Sequence, residues 1–293
     1  MKSQVMDLSI AQDLVLSGGP TLADYAVFTS LVDNIYESPR ESKVSAVTTL
    51  RRILAPTLVC DCMQGFVYLK PHGYAGDFEI LDRIYQNWLS PQPHLKRWDE
   101  YFRHQTAPQA VGNRKQYFID CISSLKGRQS KVLNVASGPG RDLLEYFQLF
   151  PTTEHLFTCV DIDPDAIAYE QRLCAPFIRR VTFVQTNALC FQSTDRYDII
   201  WSGGLFDYFE DRLFIVTLKH LLRLFAANGE CIIGNFSTVN PTRPYMELGE
   251  WYLHHRTAED LRTFAIRAGA RPEMIDVRSE PLGVNLFLHI RKD

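Results

Sequence analysis

The chain has 293 residues, 46% hydrophobic and 12% aromatic, with 31 Lys and Arg against 34 Asp and Glu and a formal charge of -3. That much apolar surface repays the entropy of ordering, which excludes a disordered chain and allows one large domain or two. No apolar run approaches the ~20 residues that span a bilayer, and the lack of a basic excess argues against a nucleic-acid partner. Cys60, Cys62, Cys121, Cys159, Cys174, Cys190 and Cys231 are scattered, with no C-x-x-C spacing, and read as free thiols in a reducing cytoplasm. The opening MKSQVMDLSIAQDL has no small-residue cleavage site after an apolar run, so it does not read as a signal peptide.

From Thr21 to about Lys126 the apolar spacing is helical. Val44, Val47, Leu50 and Leu54 line one helix face, opened by Ser38-Pro39 and Glu41. Phe78, Leu81, Ile84, Tyr85 and Trp88 line another, with Asp77 as its N-cap. Ser90-Pro91-Gln92-Pro93 interrupts the pattern, which resumes through Trp98 and Phe102 and, after Pro108, from Val111 to Leu125.

Past Gly127 strands and helices alternate. Strands are predicted over Lys131–Ala136, Leu156–Ile162, Val181–Gln185, Tyr197–Trp201 and Glu230–Asn235, and helices over Arg141–Leu149, Pro164–Leu173 and Leu213–Phe225. Such alternation predicts an α/β fold, a mostly parallel sheet with helices on both faces. Met274–Arg278 and Asn285–Arg291, joined by Glu280-Pro281-Leu282-Gly283, add an antiparallel strand at one side. The expected organisation is a helical cap over 1–126 and a Rossmann-like domain over 127–293.

The constellation with most chemistry is the first strand, the turn Ser137-Gly138-Pro139-Gly140, a helix, and Asp161 closing the second strand. Glycines there let backbone approach a ligand, and an acid at that place suits a ribose diol. The turn alone also fits an ordinary strand–helix junction; the acid and the alternation together point to a nucleoside cofactor. Leu143 stands where a dinucleotide site favours a third glycine or alanine, so a single adenosine fits better than NAD.

NVASGPGRDLLEYF, CVDIDPDAIAY, FVQTNAL and YDIIWSGGLFDYF resemble the successive motifs of class I S-adenosylmethionine (SAM) dependent methyltransferases. The resemblance implies a seven-stranded sheet with an antiparallel C-terminal strand. It also implies that Ser137, Gly138 and Gly140 line SAM, Asp161 holds the ribose hydroxyls, Ile162 packs on the adenine and Asn187 meets its amine. Trp201 and Ser202 end the fourth strand, where the family places the sulfonium. PHGYAGDFEILDRIY, APQAVGNRKQYF and GVNLFLHIRK are similar to a narrower subgroup of bacterial secondary metabolism. One of its branches makes 3-hydroxy fatty acid methyl esters; another comprises SAM lyases that cyclise SAM to azetidine-2-carboxylate.

Within that frame, His72-Gly73-Tyr74-Ala75-Gly76-Asp77 reads either as a helix cap with a tyrosine or as a lid bringing Tyr74 and Asp77 over SAM. Arg114 is a candidate partner for the methionine carboxylate, or a solvated helix-face arginine. Tyr74, Trp201, Phe206 and Tyr208 are the aromatics expected to face the sulfonium. His254-His255 does not read as a metal site, because adjacent residues face apart and no third ligand is suitably spaced. The first functional expectation is cyclisation of SAM, with Asp77 or a tyrosine accepting the amine proton and methylthioadenosine released. The second is methyl transfer to a carboxylate or hydroxyl of a small acidic acceptor. Neither needs a metal, a membrane or nucleic acid.

Overall fold

The computed structural model describes residues 7–125 and 129–292. The first helices are α1 (Ser9–Leu16), α2 (Tyr25–Glu37), α3 (Arg40–Leu54), α4 (Met63–Leu69), α5 (Phe78–Tyr85), α6 (Pro93–His104) and α7 (Thr106–Ser123). Then come β1 (Lys131–Val135), α8 (Arg141–Leu149), β2 (Leu156–Asp161), α9 (Pro164–Leu173), β3 (Val181–Gln185) and β4 (Tyr197–Ser202). The chain ends with α10 (Asp211–Leu221), β5 (Phe225–Phe236), α11 (Arg243–Leu248), α12 (Ala258–Ala268), β6 (Ile275–Ser279) and β7 (Asn285–Arg291). Two compact units result: Met1–Gln109 with Pro241–Tyr252, and Ala110–Asn240 with Leu253–Asp293. The boundary expected at 126/127 lies outside the described residues, as does the opening 1–6 of the N-terminal stretch.

The first unit is helical because its apolar residues recur every three or four positions. On α2, Phe28, Leu31, Val32 and Ile35 are buried, and Phe28 meets the rings of Trp98 and Tyr101 on α6 edge-on. Buried Asp99 accepts from the Met63 and Ser90 N–H groups, both at 2.7 Å, satisfying two backbone donors at once. The late stretch 241–252 completes this unit. Tyr245 stacks edge-on against Tyr101 and donates to Gln64 Oε1, and Arg51 reaches the Leu248 carbonyl and the Glu250 carboxylate at 3.0 Å each. Helix α5 stops at Tyr85, short of Trp88, because Asn87 turns left-handed at φ 55°. Trp88 instead packs beneath the Arg83 guanidinium, 4.6 Å from its ring centre. Val44, expected on a buried face, is exposed.

The second unit holds one sheet of seven strands in the order β3-β2-β1-β4-β5-β7-β6. Neighbours from β3 to β5 run parallel, and β7 lies antiparallel between β5 and β6. One face is covered by Phe118, Ile119 and Ile122 of α7 and Leu143 and Phe147 of α8. The other face is covered by Phe214 and Leu218 of α10 and Leu261, Phe264 and Ala265 of α12. β5 begins at Phe225, a residue expected to end the preceding helix; that helix closes at Leu221 and a single 3₁₀ turn, Leu222–Leu224, leads into the strand. α7 starts at Thr106, ahead of Pro108, which costs nothing in a first turn whose N–H groups have no helical partners. All seven cysteines are free, and among the described residues no helix is long and apolar enough to cross a membrane.

Candidate cofactor and active site

Parallel strands β1 to β4 end on one edge of the sheet, and the segments that follow them carry most of the predicted ligand-binding residues. After β1 the chain turns through positive φ at Ala136 (53°), Gly138 (61°) and Gly140 (67°) before α8 begins. A left-handed non-glycine such as Ala136 costs about 1 kcal/mol, strain held at the point where the strand becomes the turn. Gly140 is required twice over, by its φ and because a Cβ there would lie 2.2 Å from Glu170 Cγ.

Asp161 ends β2, buried, with Oδ2 accepting from Gly138 N–H and Oδ1 from Asp163 N–H, both at 3.0 Å. The carboxylate therefore ties the first two loops together. Burial raises its pKa above the ordinary aspartate value. Ile162, next in sequence, is 63% exposed, an apolar side chain left open beside the acid. Asn187, after β3, is exposed; its Oδ1 accepts from Leu189 N–H at 2.9 Å, which makes it a turn-former with its amide N–H₂ still to be used.

At the end of β4, Ser202 is fully buried and its hydroxyl has no hydrogen-bond partner. Arg114 of α7 is buried beside it in the chain's path, donating to the Gly203 carbonyl at 3.1 Å. A Cβ on Gly204 would come within 2.8 Å of the same guanidinium, so glycine there makes room for the arginine. Of the aromatics expected to meet the sulfonium, Trp201 is buried in the layer of Phe118 and Phe287, and Phe206 packs edge-on to Phe209 and Phe214. Tyr208 is 39% exposed. Tyr74 and Asp77 belong to the first unit. There Asp77 caps α5, Oδ1 accepting from Glu79 and Ile80 N–H at 3.0 and 2.9 Å, and Tyr74 is 38% exposed in the preceding turn.

Several groups at this edge were not foreseen. Burial pushes Asp142, in the first turn of α8, up to about 6, Asp207, after β4, up to about 7, and Glu170 of α9 up to about 8. Glu170 shares the buried stripe of α9 with Ala166 and Ile167, an odd place for an acid that only the packing reveals. Arg256, which follows His254-His255 in sequence, is buried where the two histidines are half-buried. Its guanidinium donates to the Phe206 carbonyl (3.0 Å), Asn235 Oδ1 (2.7 Å), Asp211 Oδ1 (3.1 Å) and the Phe209 carbonyl, pinning the segment after β4. Asp207 fastens the same segment by accepting from Phe236 N–H at 2.6 Å. Among the described residues no group of three or more His, Cys, Asp or Glu could hold a metal ion.

Residues 132–229 match the family model of a methyltransferase domain. That segment begins in β1 and contains the glycine turn, Asp161, Asn187, Ser202 and the α10 helix. Among solved structures, the chain resembles a Bordetella parapertussis protein described as a possible exported protein. Their identity is 15%, over 97% of this chain and 94% of that one, with a TM-score of 0.63. It also resembles magnesium protoporphyrin IX methyltransferase from Synechocystis PCC 6803 with bound S-adenosylhomocysteine, at 13% identity over 64% and 88% of the two chains and a TM-score of 0.50. At such identities the likeness is one of fold, and the fold of the second unit is that of class I methyltransferases, including the antiparallel β7. A search of curated protein sequences gives no match.

Proposed function

We propose that this protein is a SAM-dependent methyltransferase of bacterial secondary metabolism, cytoplasmic, acting on a carboxylate or hydroxyl of a small molecule. The observation that carries the reading is the joining of the Ser137–Gly140 turn to Asp161, with exposed Ile162 alongside, inside the segment that matches a methyltransferase domain. Asp161 offers carboxylate oxygens to the ribose hydroxyls, and Ile162 offers an apolar surface for an adenine. Asn187 stands one strand further along the same edge. Arg114 and the unpartnered Ser202 hydroxyl suit the charged amino-acid end. When bound, SAM supplies a methyl group on a sulfonium, an already activated leaving group. The protein's part is then to orient the acceptor and exclude water. A carboxylate acceptor needs no base. Tyr208, exposed after β4, is the side chain of that segment we assign to the sulfonium.

Methyl transfer stands ahead of SAM cyclisation because the matched domain is a methyltransferase domain. Mass spectrometry of the purified protein incubated with SAM separates the two. S-adenosylhomocysteine formed only when a 3-hydroxy fatty acid or another small acid or alcohol is added supports methyl transfer. Methylthioadenosine with azetidine-2-carboxylate, formed from SAM alone, overturns it in favour of cyclisation.

A further inference from the structure

Glu170 lies two turns into α9, the helix that begins just after Asp161, and it reaches back beneath the turn that follows β1. Its Oε2 accepts from the Ser137 hydroxyl at 2.6 Å, with both side chains buried. Its Cγ fills the space that Gly140 leaves by having no side chain, and its Oε1 has no hydrogen-bond partner. The Gly140 carbonyl is met by the Cys174 thiol at 3.7 Å, from the end of the same helix. One helix thus begins at the acid loop and underpins the glycine turn. We infer that Glu170 is the positioning residue of the ligand loop, holding Ser137 from below so that the 136–140 turn and the Asp161 loop keep the spacing a nucleoside needs.

The groups facing this carboxyl make its charge state matter. Asp142 on α8 and Asp161 on β2 would repel an ionised Glu170, and the Cys159 thiol on β2 and Cys174 at the end of α9 carry no positive charge to offset it. Ser137 and the Cys159 thiol only partly oppose the effect of burial, which pushes Glu170 up to about 8 and favours its neutral form. A charge there leaves the unpartnered Oε1 desolvated beside two other acids, and the relief available is withdrawal of α9 from the turn. Ligand binding therefore requires the protonated clamp.

The inference rests on the cofactor reading only for its probe, S-adenosylhomocysteine. Calorimetric affinities for that probe are measured from pH 6 to 9.5 on the wild type and on Glu170→Gln, a neutral isostere. Above pH 8 the wild-type affinity should fall relative to the variant, approaching tenfold per pH unit for one linked proton. The amino group of the probe titrates equally in both and cancels in the ratio. In parallel, hydrogen exchange of segment 136–140 in the ligand-free proteins, corrected for its intrinsic pH dependence, should accelerate through pH 8 in the wild type alone. Ser137→Ala should abolish that difference. Identical pH profiles for wild type and Glu170→Gln in exchange overturn the inference, whatever the affinities. Failure of the wild type to bind the probe at any pH overturns the cofactor reading instead, and exchange alone then decides the role of Glu170.

Discussion

Replacing Arg256 by Met keeps most of the aliphatic stem and removes a guanidinium that is only 3% exposed. The loss strands two acceptors, the Phe209 carbonyl and Asn235 Oδ1, each worth about 1–3 kcal/mol when left unpaired, while the Phe206 carbonyl keeps the Phe209 N–H as a donor. The pair with Asp211 adds little, about 0–1 kcal/mol, because that carboxylate is largely in water. Packing of the guanidinium over the Phe214 ring, 4.9 Å away, is lost as well, although the Met stem still fills part of the space. With partial rehydration the sum is about 4 kcal/mol, which at about 2–4 °C per kcal/mol for a domain of this size lowers Tm by roughly 10 °C. Thermal unfolding followed by circular dichroism measures it, with Asp211→Asn as the control expected to move Tm by less than about 2 °C. Arg256→Met melting within about 2 °C of the wild type would refute the claim that this arginine pins the segment after β4.

Three more outcomes follow from the same structure. Asp161→Ala should weaken S-adenosylhomocysteine binding by about 100-fold or more in calorimetry, since charge-assisted hydrogen bonds contribute about 1.5–3 kcal/mol each; an unchanged affinity removes the ribose assignment. Asp99→Ala leaves the Met63 and Ser90 N–H groups buried without acceptors and should cost about 2–4 kcal/mol in urea unfolding. A cost under about 0.5 kcal/mol would show that another acceptor replaces it. Asp142, Asp207 and Glu170 are raised from ordinary values of 3.8, 3.8 and 4.5 to about 6, 7 and 8. The folded state therefore holds protons that the unfolded chain has released. Their stabilisation is complete below those ordinary values and is lost as pH rises through about 6 to 8. Tm should decline from pH 5.5 to 8.5, and Asp207→Asn should shallow that slope; a slope unaltered by the substitution would contradict the burial of that acid.

The second unit was legible because each strand of its parallel sheet is short, apolar and bounded by turn residues, so periodicity alone located β1 to β4, and Asn285–Arg291 matched β7 residue for residue. The turn and Asp161 stood out as residue types that loops and strand ends favour, while Asn187 followed only from the family resemblance. Glu170 and Arg256 did not stand out, since a charge becomes informative only once it is known to be buried, and burial is a property of tertiary packing. The aromatic residues misled for the same reason. Trp201 and Phe206 sit beside the motif in sequence, yet their rings are consumed by neighbours on the sheet faces. Helices α11 and α12 were not among the expected elements: α11 is a little over one turn long, whereas α12 carries both a Thr257–Asp260 capping box and helix-forming residues.

The stretch Pro241–Tyr252 has a consequence for the order in which this protein can be made. A ribosome delivers α1 to α6 first, yet Tyr101, Gln64 and Arg51 complete their contacts only when Tyr245, Leu248 and Glu250 emerge, after β5. The helices produced first must wait, with part of their apolar surface uncovered, while most of the sheet is synthesised. That interval is when a nascent chain is most prone to aggregate and most dependent on chaperones. No single cut in the gene yields the first unit whole; a fragment ending at Gln109 would need residues 241–252 returned to it, fused or as a peptide.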